Sequence, residues 1–335
     1  MMLNLTNQAS KQSGIALLTV LLIVFLASTI AVSMIDQHTF DIRRTDYNEN
    51  FGQSYHLSMG VEAWALGKLH KDAKNDKTGE KTDHEGETWG ETLLLKNINN
   101  IASVNGKISD EQGLFNINNL YFEDLKLSDS GVKDKKRYQY LYLRNLLEKL
   151  DINADLANPI TDWLDQNSNA SFPLGAEDSF YLTKKTAYRT AGRPIVHISE
   201  LRLIKGITPQ IYNKLKTAIV ALPQSTRINV NTAPKRVLLG LTKTMTESMA
   251  DNIIQHRLAT PFKSTKDFIQ FMQQGNEKKS VNSAELTQLL TVSSNYYVAK
   301  ATVSMNRSVI NIASRIWRDP KTALIKVYQR TRGLQ

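Results

Sequence analysis

The feature that most constrains this chain is an uninterrupted apolar run from Ile15 to Ile35. Its 21 residues span roughly 31 Å as a helix at about 1.5 Å per residue, which matches the ~30 Å hydrocarbon core of a bilayer. A secretory signal peptide carries its small-residue cleavage site after the apolar region, whereas here Gly14 precedes it. We therefore predict a membrane-anchored protein, cut after Gly14 so that the apolar helix starts the mature chain. An ordinary uncleaved anchor is the alternative.

The composition excludes several chemistries and leaves the partner open. The chain has no cysteine, which excludes disulfides, thiol nucleophiles, iron–sulfur clusters and cysteine zinc sites. Its 42 basic and 32 acidic residues give a formal net charge of +10. That charge suits anionic lipid, nucleic acid or an acidic protein, and does not choose among them. Basic residues flank the apolar run on both sides, so charge does not settle its orientation.

Helical periodicity continues past the apolar run and predicts one long helix over about 15–70. Residues 71–90 are polar, charged and Gly-containing, which predicts a mobile loop. Alternating patterns over 102–120 and from about 290 onward predict strands. The segment between them has helical patterns, with predicted helices at 138–150, 197–206, 208–222, 234–241, 246–258 and 283–289.

The predicted fold class is α+β, with a long N-terminal helix packed on a small antiparallel sheet and a large helical domain inserted between the strands. We call the part of the long helix that follows the membrane run the spine helix. The predicted divisions are a leader at 1–14, a transmembrane helix at 15–35, the spine helix and first strands at 36–123, the inserted helical domain at 124–286 and returning strands at 287–335.

An acidic stretch from Leu150 to Thr183 contains six acids and no Lys or Arg. Its centre offers Asp165, Asn167 and Asn169 at alternate positions, followed by Glu177 and Asp178. A hard cation such as Ca²⁺ takes six to eight oxygen ligands, and a flexible loop supplies them at such spacing. The stretch is not an EF-hand, because its sixth and twelfth positions are alanines. A capped helix end with a solvated acidic loop is an equally good interpretation.

Other catalytic and metal chemistry finds little support in the sequence. The six histidines are scattered and give no zinc spacing. Nucleophile-elbow, phosphate-loop and dinucleotide-binding glycine patterns do not occur. The carboxylates Asp162 and Asp165 suit acid–base work in principle, but nothing marks a substrate cleft. The sequence therefore does not favour an enzyme.

Nucleic-acid binding is the alternative function. Residues 197–215 and 228–257 resemble helix-hairpin-helix modules, which bind phosphate through backbone N–H groups of a two-glycine hairpin. The first hairpin, at 206–209, contains a proline that removes one donor, and the second, at 242–245, has no glycine. Both units therefore look more like packing or protein-contact units than anion clamps.

The motifs together identify a family resemblance. The junction QSG before IALLTVLLIV resembles a prepilin-peptidase site. The segments DEQGLFNINNL, DWLDQNSNASFPLGAED, YRTAGRPIVHISELRLIKGI and INVNTAP resemble the minor pseudopilin K family of bacterial type II secretion systems. The resemblance covers nearly the whole chain, with little in the loops at 71–95 and 259–282.

The resemblance implies a cleaved leader, N-methylation of Ile15 and a pseudopilin fold whose large helical insertion binds calcium. Carried onto this chain, the implied ligands are Asp165, Asn167, Glu177 and Asp178, with Asp162 and Asn169 as further candidates. The family often has acids where this chain has Gln166 and Asn167. Fewer formal charges weaken calcium affinity.

Thr19 stands at the fifth mature position, where most pilins have a glutamate that pairs with the amine of a neighbouring subunit. A Glu in lipid costs about 2.5–3.5 kcal/mol or more unless it is paired. A subunit with no neighbour above it has no amine to neutralise, so Thr19 fits the tip of a filament. Members of the resembled family similarly lack this Glu, although threonine is also common in membrane helices.

The resemblance predicts a non-enzymatic, single-pass inner-membrane protein with its body in the periplasm. It predicts a minor pseudopilin at the tip of the pseudopilus, which caps the filament and helps to initiate its assembly. The implied partners are minor pseudopilins of the I and J types, the major pseudopilin, the prepilin peptidase, inner-membrane lipid and secreted cargo. A membrane-anchored, competence-like DNA-binding protein remains the alternative.

Overall fold

The computed structural model describes residues 13–75, 81–98, 101–121, 130–274, 283–306, 308–322 and 324–333. The first element is α1, a single helix of 63 residues from Ser13 to Asn75. At 1.5 Å per residue it is about 95 Å long. Its side chains are exposed as far as Glu49 and become regularly buried from Ser54 onward. Among the described residues, α1 therefore packs against the rest of the protein from about Asn50 onward, where the Asn50 side chain accepts a hydrogen bond from Asn306 at 2.9 Å.

The helix packs on a five-stranded sheet in which every neighbouring pair is antiparallel. The strands lie in the order β1 (Thr92–Ile98), β2 (Ala102–Asp110), β7 (Tyr296–Met305), β8 (Ser308–Arg318) and β9 (Ile325–Arg332). The neighbours β2 and β7 are therefore far apart in the chain. At their ends Asp110 of β2 lies opposite Tyr297 of β7.

One face of the sheet covers the spine helix. Val61, Ala65 and Leu69 of α1 are buried against inward-facing residues of β2, β7 and β8. The closest approach is at Gly106, where an added Cβ would lie 2.6 Å from a methyl group of Val61. Because β2 alternates buried and exposed residues over Ala102–Ile108, its other face remains open to solvent.

The segment between β2 and β7, residues 111–295, forms a separate helical body that we call the insertion. It has its own hydrophobic core, centred on Phe115, Tyr142, Leu146 and Ile160. Two short parallel pairs, β3 with β4 and β5 with β6, each join one end of the insertion to its middle. Its elements are β3 (Phe115–Asn116), α2 (Ser130–Lys149), α3 (Ala157–Leu164), α4 (Asp178–Tyr181), α5 (Pro209–Leu215), β4 (Ile219–Val220), β5 (Ile228–Asn229), α6 (Lys235–Leu239), α7 (Glu247–Ala259), α8 (Thr265–Gln274), α9 (Ser283–Leu289) and β6 (Leu290–Thr291).

The prediction of a mobile loop at 71–90 is wrong for most of that segment. The helix continues to Asn75, and in the part described from residue 81 onward Asp83 and Trp89 are fully buried. A short 3-10 turn at Thr88–Gly90 and the edge strand β1, which the sequence did not predict, follow. The polar composition did not indicate that this segment is buried, because Asp72 and Asp83 pair with the buried Arg318 instead of with water.

Two of the predicted helices in the insertion are shorter or of another type. The helix predicted over 208–222 ends at Leu215, because Ile219 and Val220 pair with β3 instead. The helix predicted over 197–206 is a 3-10 helix at Ile198–Leu203.

Candidate metal centre

The acidic stretch folds around the C-terminal end of α3. Asp162 lies in the last turn of this helix and is fully buried, and Asp165 is the residue that ends it. Oδ2 of Asp162 accepts hydrogen bonds from the backbone N–H groups of Ser171 and Ala176 at 3.0 and 2.8 Å. One carboxylate therefore closes the loop at 165–177 onto the helix that precedes it.

Gly175 is required where this loop passes the Asp162 carboxylate. A Cβ at residue 175 would collide with Oδ2 of Asp162 and with the backbone carbonyl oxygen of Ser171. The Gly175 N–H donates to the same Ser171 carbonyl at 2.8 Å. Lys205 Nζ donates to the Gly175 carbonyl oxygen at 3.2 Å, which ties the loop to the segment that follows the 3-10 helix.

Glu177 and Asp178 follow the loop at the start of α4. Glu177 is buried, whereas Asp178 is half-buried. The Asp178 carboxylate accepts hydrogen bonds from the backbone N–H of Thr190 at 2.9 Å and from the Arg189 guanidinium at 2.9 Å. These contacts, with the Thr190 N–H as the largest contribution, hold the pKa of Asp178 below its usual range.

The electrostatics of Glu177 show that the acids occupy one region. Burial raises the pKa of Glu177 to about 8, and the negative charges of Asp162, Asp165 and Asp178 act in the same direction. Oδ1 of Asp162 and Oε1 of Glu177 are buried and have no hydrogen-bond partner among the described residues. Buried carboxylate oxygens without partners are costly, and oxygens of this kind are the ligands that a hard cation prefers.

The two asparagines of the predicted ligand set behave differently. Asn167 and Asn169 are exposed, and the side-chain oxygen of Asn167 accepts a hydrogen bond from the backbone N–H of Asn169 at 2.8 Å. That oxygen is engaged in a local turn. The structure therefore places Asp162, Asp165 and Asp178 close enough to Glu177 for their charges to act on it, and carboxylates are the ligands that a hard cation such as Ca²⁺ prefers. Among the described residues, no three of these acids hold carboxylate oxygens within 4.8 Å of one another.

Aromatic side chains on both sides of the acidic loop pack against one another. Trp163 of α3 packs edge-on against Tyr181 of α4, with ring centroids 5.2 Å apart, and Tyr181 contacts Tyr188 at 5.2 Å. The Trp163 indole N–H donates to Glu200 of the 3-10 helix at 3.1 Å. Large, rigid rings in contact hold α3, α4 and the segment after them in a fixed arrangement.

A second acidic cluster, which the sequence analysis missed, lies at the C-terminal end of α1. Among the described residues, Asp72, Asp83 and Glu87 each place a carboxylate oxygen within 4.8 Å of the others. The buried guanidinium of Arg318 donates to Asp72 at 2.7 Å and also to Asp83. The Arg318 guanidinium is therefore the cation that neutralises these carboxylates. The available signal in the sequence was Trp89, because tryptophan in a polar run is usually well buried.

This cluster continues into a polar network that joins the sheet to the insertion. Asp110, at the end of β2, accepts hydrogen bonds from Ser294 Oγ at 2.6 Å and from Asn229 Nδ2 at 3.1 Å. Asn229 also donates to the backbone carbonyl of Asp83 at 2.9 Å. Burial raises the pKa of Asp110 to about 6. We call the set Asp72, Asp83, Glu87, Asp110, Asn229, Ser294 and Arg318 the buried junction.

The two hairpins that resemble helix-hairpin-helix modules lie at the surface of the insertion, where five of their eight residues are exposed. In the second hairpin Met245 is buried, and Lys149 of α2 donates to its carbonyl oxygen at 2.7 Å. In the first hairpin Gly206 has a φ of +83°, and Lys205 is tied to the acidic loop. The backbone N–H groups of Ile207 and Met245 donate to the carbonyl oxygens of Ile204 and Thr242 at 3.1 and 3.3 Å, so these two donors are already used within the chain.

The predicted processing residues lie at the exposed start of α1. This helix is long and apolar enough to cross a membrane by length and composition. Gly14 is in its first turn, and Ile15 is 66% exposed. The Thr19 hydroxyl donates to the Ala16 carbonyl oxygen at 2.9 Å, which satisfies it within the helix. Residues 1–12 of the predicted leader lie outside the described residues.

Comparison with known proteins identifies the family. Two family models, both described as type II secretion system (T2SS), protein K, match residues 113–224 and 228–293. Type II secretion system protein K of Pseudomonas aeruginosa is 32% identical over 284 residues, which cover 84% of this chain and 83% of that protein. The chain belongs to the type II secretion system protein K family. The homologue from Pectobacterium carotovorum subsp. carotovorum is 30% identical over 89% of this chain and 90% of its own length.

The fold is also that of a solved structure. The crystal structure of the GspK–GspI–GspJ complex from the enterotoxigenic Escherichia coli type 2 secretion system contains a matching chain. That chain is 23% identical, with a TM-score of 0.69, and the match covers 87% of this chain and all of the other. The predicted α+β class and the resemblance to minor pseudopilin K are therefore confirmed.

Proposed function

We propose that this minor pseudopilin occupies the tip of the type II secretion pseudopilus, where it caps the filament and helps to initiate its assembly. The observation that carries the proposal is the place where the insertion leaves the sheet. It begins after Asp110 and ends before Tyr296, next to the buried junction at the C-terminal end of α1. That end of α1 is the one farthest from the apolar span at 15–35.

Position and bulk give the capping mechanism. In a stack of subunits with parallel helices, the next subunit would have to lie beyond the membrane-distal end of the spine helix. In the proposed tip, the insertion would occupy that space, because it leaves and rejoins the sheet at Asp110 and Tyr296, beside the membrane-distal end of the spine helix. Thr19 agrees with this position, because a terminal subunit has no neighbouring amine that a lipid-buried glutamate would have to neutralise.

Assembly would occur through the exposed part of α1. In the proposed mechanism the prepilin peptidase cuts after Gly14, and Ile15, then N-methylated, becomes the first residue. The span and the exposed apolar residues beyond it, such as Phe40 and Ile42, pack against parallel helices of the I-type and J-type minor pseudopilins and of the major pseudopilin. The solved relative, which shares the fold, is itself in a complex with GspI and GspJ.

The body would lie in the periplasm, with α1 as a single-pass anchor in the inner membrane. This placement puts the insertion toward the outer membrane, where it is available to secreted cargo. We assign the chain a structural rather than an enzymatic role, because the acids that the fold gathers serve a closed loop and a buried junction.

The acidic loop would bind calcium through Asp162, Asp165, Glu177 and Asp178, with Asn167 and Asn169 as candidate outer ligands. Its role would be structural, since a bound cation neutralises the buried carboxylates and fixes the loop against α3. The test is thermal unfolding of the full-length chain in detergent micelles with calcium or with a chelator. We expect a higher melting temperature with calcium, and equal melting temperatures would contradict the assignment.

The capping proposal is tested by replacing residues 111–296 with a two-residue Asn-Gly turn, which then directly joins Asp110 and Tyr297, partners in the register of the sheet. This replacement is sterically reasonable because β2 and β7 are antiparallel neighbours, which a two-residue hairpin can join. Pseudopilus length is measured by electron microscopy in secreting cells that overproduce the major pseudopilin. We expect longer, unterminated filaments while the variant still fractionates with the inner membrane. Filaments of unchanged length, with the variant present and membrane-associated, would refute capping.

A further inference from the structure

A cleft separates the open face of the sheet from the insertion. Its volume is about 280 Å³. Its apolar floor is formed by Val298 of β7, by Ile219 and Val220 of β4, and by Leu114. Pockets that enclose whole small ligands occupy roughly 300–1,000 Å³. A cleft just below that range fits one or two side chains of a polypeptide that passes over it.

The rim of the cleft is strongly basic. Lys300 of β7 and Lys216 at the end of α5 line it and are exposed, and the buried Arg315 of β8 lines it from below. Lys107 of β2 stands directly opposite Lys300 in the register of the sheet, so the two lysines share one face. Like charges directly opposite each other destabilise a sheet.

The acids beside these cations, Asp110 and Glu111, are fewer than the cations, although the charges of both Arg315 and Lys300 act on Glu111. Within the part of the chain that the structure describes, Lys107, Lys216 and Lys300 make no salt bridge. The acid at the floor, Glu111, is already bonded to Arg315 at 3.0 Å, and the Asp110 carboxylate is turned into the buried junction. The cleft therefore has an excess of positive charge beside an apolar floor.

We propose that this cleft binds an acidic segment of a partner protein, with carboxylates on the lysines and one apolar side chain on the floor. A phosphate ligand fits less well, because it has no apolar group to place against the floor formed by Leu114, Val220 and Val298. The site is separate from the acidic loop and does not depend on the position of the subunit at a filament tip.

The test is fluorescence anisotropy with the full-length chain in detergent micelles at low salt. The probe is a fluorescein-labelled peptide of sequence GSDFEGS, and its uncharged counterpart is GSNFQGS. We expect the acidic peptide to bind at least tenfold more tightly than the neutral one. The double variant Lys216→Glu/Lys300→Glu should weaken binding of the acidic peptide at least tenfold, since both residues are exposed and outside the core.

The matched control is Lys266→Glu/Lys321→Glu, which changes the net charge equally at exposed positions outside the cleft. We expect it to bind the acidic peptide within about twofold of the unaltered chain. Equal weakening by the control would show non-specific charge attraction and overturn the proposal. Displacement of the peptide by inorganic phosphate at equal concentration, or equal binding of the neutral peptide, would also overturn it.

Discussion

The buried junction should depend on Arg318 more than on any exposed ion pair of this protein. The Arg318 side chain is 1% exposed, lies 2.7 Å from an oxygen of Asp72 and contacts Asp83. It also donates to the Ser294 carbonyl oxygen at 2.7 Å. Arg318→Met would keep much of the aliphatic volume but remove the cation between two buried carboxylates. The substitution therefore tests whether this charge holds the spine helix, the sheet and the insertion together.

The expected cost follows from burial. Removing one partner of a buried ion pair typically costs 3–5 kcal/mol, because it leaves an uncompensated buried charge. We expect Arg318→Met to lower the free energy of unfolding by about 4 kcal/mol, a factor of about 10³ in the unfolding equilibrium. For a body of this size the melting temperature should fall by roughly 8–16 °C.

The assay is urea unfolding of the full-length chain in detergent micelles, followed by tryptophan fluorescence. Trp89 is a suitable reporter because it packs edge-on against Tyr297, with ring centroids 5.3 Å apart, beside the junction. The control is Lys235→Met, whose ammonium group contacts Glu247 and Asp251 at the surface. Exposed pairs contribute about 0–1 kcal/mol, so this variant should lose little stability.

A second variant separates the charge effect from simple loss of packing. Asp72→Asn/Asp83→Asn/Arg318→Met removes Arg318 together with both carboxylates that it contacts, and replacing buried ion partners together is often close to neutral. We expect this triple variant to be more stable than Arg318→Met alone. The reasoning would be refuted if Arg318→Met cost no more than Lys235→Met, or if the triple variant recovered nothing.

Three further predictions concern protonation, packing and the acidic loop. Burial and the charge of Asp72 raise the pKa of Glu87 to about 8 from an ordinary 4.5, so the folded state holds this proton more tightly than the unfolded state. The stabilisation that this proton gives is fully present below about pH 4.5 and is lost as the pH rises toward 8. The melting temperature, measured with chelator, should therefore fall between pH 4.5 and pH 8. The variant Glu87→Gln should show a smaller fall over the same range. Gly106→Ala should lower the free energy of unfolding by about 1–3 kcal/mol, because it overpacks the contact between the sheet and the spine helix. Gly67→Ala has nothing within 4 Å of the added Cβ and should raise the free energy of unfolding by about 0.5–1 kcal/mol. Equal effects of the two variants in urea unfolding would contradict this prediction. Gly175→Ala should abolish the rise in melting temperature on adding calcium, because the new Cβ displaces the loop that closes on α3; an undiminished rise would show that the cation binds elsewhere.

The type and order of the main helices and strands were predictable from the sequence, because each has a periodic pattern of apolar residues. The apolar run and the amphipathic repeat after it predicted α1, and the alternation in the last 45 residues predicted the returning strands. Helix α9 was predicted with its observed bounds, 283–289. Each of these elements is determined by its own residues, so neighbours in the sequence carry enough information.

What the sequence did not predict depends on contacts between distant residues. Asp83 is buried because Arg318, 235 positions away, neutralises it, and no local pattern contains that pairing. The helix predicted to continue to residue 222 stops because Ile219 and Val220 pair with β3 across more than 100 residues. In both cases a tertiary partner overrode a correct reading of local propensity.

For the candidate site, the density of acids predicted the right region, but spacing alone did not distinguish the ligands. Alternation placed Asn167 and Asn169 beside Asp165, yet the structure uses the Asn167 side chain to fix its own turn. The carboxylates of Asp162 and Glu177 lie in one buried region because α3 ends at Leu164 and Gly175 allows the loop to return. Such closure is a property of the folded backbone.

The direct pairing of β2 with β7 has a consequence for how this protein could have evolved. Since the two ends of the insertion meet at adjacent strands, its length and internal architecture can change without altering the hydrogen-bonding register around it. A shared anchor and sheet could thus serve as a constant platform on which different lineages exchange distal bodies suited to their own secretion machinery.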